Sequence, residues 1–161
     1  MRVIAIDPGF ERMGVAVLEK KNGQEVVLFS SCLRTSARLP FPERLMSLAE
    51  DLDRIFAKWS PEALAIETLS FNTNKKTAMR VAEAKGVAVY TAAKNGSAVE
   101  EFSPSQIKAA CTGYGKAAKA DVEKMVRAIV DTKGKKMLDD ELDAIAIGIA
   151  FLATVRGAEK C

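Results

Sequence analysis

Histidine is missing altogether from this sequence of 161 residues. That removes Ser-His-Asp chemistry, histidine general bases and most zinc or iron sites, so any catalysis must run on carboxylates, lysines or hydroxyls. Cysteine is scarce: Cys32, Cys111 and Cys161 are odd in number, widely spaced and lack a C-x-x-C pair. They read as structural or incidental thiols rather than as a disulfide framework or a zinc site. Long uncharged hydrophobic runs are absent too, and the chain enters an apolar strand without a charged lead or a cleavable stretch. Neither a membrane span nor a signal peptide is expected, which points to the cytoplasm.

What is present suits one domain with a substantial core, since the chain is 48% hydrophobic and too short for two comfortable domains. Its charge is unevenly spread. From Asn72 to Lys136 there are 13 Lys and Arg against 6 Asp and Glu, while the rest of the chain is net acidic. A basic half without aromatic tracts suits a polyanion partner, and equally a solvated lysine surface.

The opening stretch Val3-Ile4-Ala5-Ile6-Asp7-Pro8-Gly9 reads as a buried strand ending in a carboxylate and breaking into a turn. Asp7 is thereby presented at a strand end, for chemistry or merely to bond its own turn. Gly14 to Leu18 and Glu25 to Phe29 continue as a hairpin meander around the Lys20-Lys21-Asn22-Gly23 turn, with Cys32 and Leu33 able to extend the third strand. Arg12, in the loop between the first two strands, is either a surface charge or a group aimed at phosphate. Leu45, Leu48, Leu52, Ile55, Phe56 and Trp59 form the apolar stripe of a helix from Pro42 to Trp59, ended by Ser60-Pro61. Ala63-Leu64-Ala65-Ile66-Glu67 then repeats the opening design. If strands one and four are parallel, Asp7 and Glu67 emerge at neighbouring carboxyl ends, where α/β folds place their sites.

Asn72-Thr73-Asn74 offers caps for a helix from Lys75 to Lys85, with Lys75, Lys76 and Arg80 on its outer face and Gly86 as the left-handed stop. Val87 to Tyr90 reads as a fifth strand and Ala98 to Phe102 as a brief edge element. Ser103-Pro104-Ser105-Gln106 is a capping box that starts a helix carrying Lys108. Gly113-Tyr114-Gly115-Lys116 lacks the spacing of a nucleotide-binding loop. It enters a helix with Lys116 and Lys119 at its start, which is either a seat for a backbone phosphate or a plain loop with solvated lysines. Asp139-Asp140-Glu141-Leu142-Asp143 opens a last helix that is apolar nearly all round, hence buried. The helix dipole accounts for one or two of those acids, not all of them. Asp140 and Asp143 share a face.

Asp7, Glu67, Asp140 and Asp143 are thus four acids that one fold can converge, and four like charges need a counter-ion. Oxygen ligands without His or Cys favour Mg²⁺, or Mn²⁺ in its place. Two such ions about 4 Å apart would clamp the attacking and leaving oxygens of a phosphodiester displacement.

These stretches, with Ala84-Lys85-Gly86-Val87 and Ser105-Gln106-Ile107-Lys108, resemble over nearly the whole chain the RuvC family of bacterial Holliday junction resolvases. The resemblance implies an α/β RNase H-like fold with a mixed sheet of about five strands flanked by helices. It also implies a homodimer that nicks opposed strands of a four-way DNA junction symmetrically and leaves 5′-phosphates, in company with a branch-migration helicase. The four acids fall on the family's metal-binding positions, and Lys108 and Lys119 on its basic residues near the cleaved strand. Arg12, Phe71, Lys75, Lys76, Arg80 and Lys116 complete the expected DNA contacts. Ser70 replaces one member of an aromatic pair usual in the family, leaving Phe71 to stack on a base or to be buried in the core or the dimer contact. Glu83 stands where the family often has glutamine. The rival readings are an RNase H-like nuclease for flap, branched DNA or RNA, and a junction-binding module that does not cut.

Overall fold

A computed structural model describes residues 1–69, 75–130 and 136–158, with the backbone alone for Lys75 and 155–158. The order of elements is β1 (Arg2–Asp7), β2 (Arg12–Lys21), β3 (Gln24–Arg34), α1 (Phe41–Trp59), β4 (Ala63–Glu67), α2 (Lys75–Lys94), β5 (Ala98–Phe102), α3 (Pro104–Thr112), α4 (Lys119–Ile129) and α5 (Asp139–Ala158). The strands form one sheet in the order β3-β2-β1-β4-β5. β1 sits at its centre, antiparallel to β2 and parallel to β4, and β5 extends the parallel half.

Both faces of the sheet are covered, which is why β1 is apolar along its length rather than alternating. Val3 and Ala5 point into a core layer shared with α3, α4 and α5. Ile4 and Ile6 point into the opposite layer, against α1 and α2. α5 lies across the first face and is buried nearly all round, as its composition predicts. Two glycines let it approach: a Cβ on Gly148 would overlap the Leu18 side chain, and a Cβ on Gly14 would overlap the Asp140 carbonyl. On the other face, Leu48, Leu52, Ile55 and Phe56 are the buried stripe of α1. α3 opens on the expected capping box, in which Ser103 and Gln106 each accept from the other's backbone N–H.

Two expectations require correction. Gly86 does not end α2, and Val87 to Tyr90 is not a strand; the helix runs on to Lys94. Ala84, Ala88 and Ala92, four residues apart, are fully buried against the α1 layer. That packing outweighs the strand preference of the short β-branched run. The buried Thr91 hydroxyl donates to the Val87 carbonyl one turn back, at 2.9 Å. The left-handed glycine after this helix is Gly96, with φ of +74°. β3 also carries a feature with no local signal, a bulge opposite Val17 and Leu18. The caps expected at Asn72-Thr73-Asn74 lie outside the described residues.

Candidate active site

β1 and β4 run parallel with Ile6 opposite Ile66, so Asp7 and Glu67 leave the sheet side by side, as the opening pattern predicts. Asp7 lies opposite Gly14 in the β1–β2 register. With no side chain there, the first turn of α5 settles on the end of the sheet and brings Asp140 and Asp143 to the same place. Three distant chain segments thus supply the four acids.

Their proximity is written in the proton affinity of Asp7. Burial first, then the charges of Asp143, Glu67 and Asp140, push its carboxyl up to about 7, with Lys119 pulling the other way. Glu67 is raised by burial and by Asp143, against the opposing charges of Lys108, Lys119 and Lys85. Two acids carry cationic partners. Lys119 Nζ donates to Asp143 Oδ2 at 2.8 Å, which raises the lysine's own pKa. Arg12 donates to Asp140, and Cys32 Sγ lies 3.6 Å from the same carboxylate. Both ion pairs are partly exposed, so they contribute little stability. Their effect is on local charge.

Glu67 is the wall between two clefts. One is lined by Asp7, Pro8, Thr68 and Leu69 together with Thr77, Ala78 and Val81 of α2. The other holds Lys108 and Lys119 beside Asp143. The structure therefore gathers Asp7, Glu67, Asp140, Asp143, Arg12, Lys108 and Lys119. Lys116 lies apart, in a hollow with Tyr114, Asp121 and Lys124 on the approach to α4. Arg80 stacks 4.6 Å from the centroid of Phe41 and 5.9 Å from that of Phe10, over the loop that follows Asp7. Lys76 is exposed at the start of α2. Phe71 and Ser70 lie outside the described residues, as does the Lys75 side chain.

Sequence reasoning missed several residues around the site. Thr77 lines the first cleft, and its spacing of four from Val81 on α2 is the local hint. Lys85, only 8% exposed, donates to Glu101 at 2.6 Å and adds positive potential at Glu67. Arg44, also buried, bonds Thr35 Oγ1 at 2.8 Å and lies over the Phe10 ring at 5.0 Å. Thr35 in turn donates to the Phe10 carbonyl at 2.6 Å, so the loop after Asp7 is held on two sides.

This arrangement, an RNase H-like sheet with acids gathered at one end and lysines beside them, has close counterparts. The family model described as crossover junction endodeoxyribonuclease RuvC matches residues 3–151. The protein of that name from Ruminiclostridium cellulolyticum is 40% identical over 149 residues, 92% of this chain and 90% of its own length. That of Desulfitobacterium hafniense is 38% identical over 155 residues, 96% of this chain and 94% of its own. The solved structure of T. thermophilus RuvC in complex with Holliday junction substrate matches with a TM-score of 0.91 at 30% identity, covering 98% of this chain and 96% of that one. Sequence and fold agree over almost the full length of each relative, and the chain belongs to the RuvC family of crossover junction endodeoxyribonucleases.

Proposed function

We propose that this chain resolves four-way DNA junctions in recombination and repair, by paired, symmetric, Mg²⁺-dependent nicks on opposed strands that leave 5′-phosphates. The reading includes a homodimer of single RNase H-like domains, acting in the cytoplasm and supplied with junctions by a branch-migration helicase. No described helix is long and apolar enough to cross a membrane. The observation that carries the reading is the convergence of Asp7, Glu67, Asp140 and Asp143 beside Lys108 and Lys119, in a chain of this family.

The donor set fits a hard divalent cation. It is all oxygen, and ionisation of Asp7 is opposed by burial and by three neighbouring carboxylates, a penalty that a bound cation relieves. Among the described residues no three such ligands stand ready as a cage, and Arg12 and Lys119 hold two of the four acids. Asp7, Glu67, Asp140 and Asp143 would hold two Mg²⁺ ions, or Mn²⁺ in their place. Ions so bound supply charge stabilisation to the attacking and leaving oxygens of a phosphodiester displacement.

The chain's own groups do the rest. Lys108 and Lys119 flank Glu67 and Asp143 and place a scissile phosphate against the acids. Arg12, once exchanged from Asp140, joins Lys75, Lys76, Arg80 and Lys116 in holding the DNA backbone through charge-assisted hydrogen bonds. Phe71 stacks on a base near the crossover.

The test is cleavage of a labelled immobile four-way junction with varied core sequences, in Mg²⁺ or EDTA, beside duplex, flap and hybrid controls. Metal-dependent symmetric nicks confined to the junction are expected. Cutting of flaps or hybrids with the junction spared would overturn the substrate, and tight junction binding without any cutting would overturn the nuclease.

A further inference from the structure

Glu141 lies between Asp140 and Asp143 in sequence, yet it is 4% exposed and turned away from both clefts. A buried acid is costly unless it is well bonded. Here Oε2 accepts from the Leu138 N–H at 3.0 Å, closing half a capping box at the start of α5. Oε1 accepts from the Ser30 hydroxyl of β3 at 2.7 Å. One carboxylate therefore shapes the first helical turn and ties it to the sheet.

The bulge in β3 explains how Ser30 comes to face this helix. Across it the pairing steps from Leu18 with Val27 to Val17 with Phe29, so Leu28 has no partner of its own. Val27 packs into the α5 layer, while Leu28 and Phe29 both pack into the opposite one. The extra residue shifts the alternation and turns Ser30, and after it Cys32, towards α5. These two inward residues meet two consecutive residues of the helix, Ser30 at Glu141 and Cys32 at Asp140. On the adjacent strand, Gly14 lets the Asp140 carbonyl settle directly on the sheet.

We infer that Ser30 and Glu141 form a strut that sets the position of the Asp140 and Asp143 carboxylates, making Glu141 a positioning residue rather than a further metal ligand. This rests on the proposed function. Groups that orient ligating side chains govern ion affinity and turnover, commonly by about 10- to 100-fold, without touching the substrate. The bonds that make the strut involve none of the basic groups proposed to bind DNA, so DNA binding should change far less than ion affinity or turnover.

The experiment compares wild type with Ser30→Ala, Glu141→Leu and Glu141→Gln. Cleavage of a labelled four-way junction gives kcat and KM, and Mn²⁺ binding is followed by electron paramagnetic resonance in the absence of DNA. Glutamine can accept from the Leu138 N–H and donate to the Ser30 hydroxyl, so it keeps the strut without the charge. Glu141→Leu is expected to lower kcat and weaken Mn²⁺ binding by about tenfold or more, with KM nearly unchanged; Ser30→Ala should do so more mildly, and Glu141→Gln should restore both. Wild-type kcat and Mn²⁺ affinity in Ser30→Ala and Glu141→Leu would overturn the strut, as would a glutamine variant as impaired as the leucine one. If Glu141→Leu does not fold, Ser30→Ala and Glu141→Gln decide by the same measures. A wild-type protein that leaves junctions intact refutes the proposed function instead, and the order of Mn²⁺ affinities still decides the strut.

Discussion

Replacing Asp7 by asparagine should make the metal-free protein more stable, by an amount that depends on pH. The folded carboxyl has its pKa pushed from 3.8 to about 7 by burial and three neighbouring acids. At about 1.4 kcal/mol for each tenfold change in proton affinity, ionised Asp7 costs the fold about 4 kcal/mol. Between about pH 4 and pH 7 the folded chain holds a proton that the unfolded chain has lost. Stability therefore falls as pH rises through that window, and Asp7 adds no slope below or above it. Asp7→Asn removes the ionisable group while keeping its shape. Urea unfolding in EDTA should find the variant about 4 kcal/mol more stable than wild type at pH 8, and nearly equal to it at pH 4. In a domain of this size that is a rise in Tm of about 10 °C. Junction binding should survive and cutting should not. A stability difference that is absent at pH 8, or the same at both pH values, would refute the account of a strained acid cluster.

Other substitutions probe other parts of the argument. Gly14→Ala drives a methyl into the Asp140 carbonyl and should cost about 2 kcal/mol in denaturant titrations while lowering junction cleavage more than junction binding. Lys119→Ala removes a charge that eases ionisation of Asp7 and Glu67, so the acidic limb of the pH–rate profile should move to higher pH. Lys108→Ala should slow cutting without altering the proposed dimer, as gel filtration would show. Gly86→Ala fills open space in the middle of α2 and should stabilise the protein by about 0.5–1 kcal/mol in thermal melts; a loss would mean that Gly86 is a helix stop after all.

The parts of this molecule that could be read from sequence are those whose signal is local. An apolar run closed by a carboxylate marks β1 and again β4, and a capping box marks α3 at its true first residue. The four acids were legible because two stand at strand ends and two open a helix with no polar face to spend them on. The path of α2 was not, since the reason for it lies in what Ala84, Ala88 and Ala92 touch, and the Val87 to Tyr90 run suggests the opposite. Buried Arg44 and Lys85 look like surface charges until Thr35 and Glu101 come to meet them. The bulge in β3 leaves no trace in composition, yet it decides which face Ser30 presents.

The route by which α5 completes the site bears on how the protein is made. Arg12 and Asp140 are 128 positions apart in the chain, and the sheet face that α5 covers is assembled from strands synthesised long before it. Closing so long a loop is slow, and its entropy is repaid only when the helix docks. A nascent chain that has formed β1 to α4 already carries Asp7 and Glu67, together with the lysines proposed to contact DNA, but only half of the acid cluster. If the four acids carry the cutting as proposed, that power arrives only with the docking of α5, and a half-folded copy would lack it.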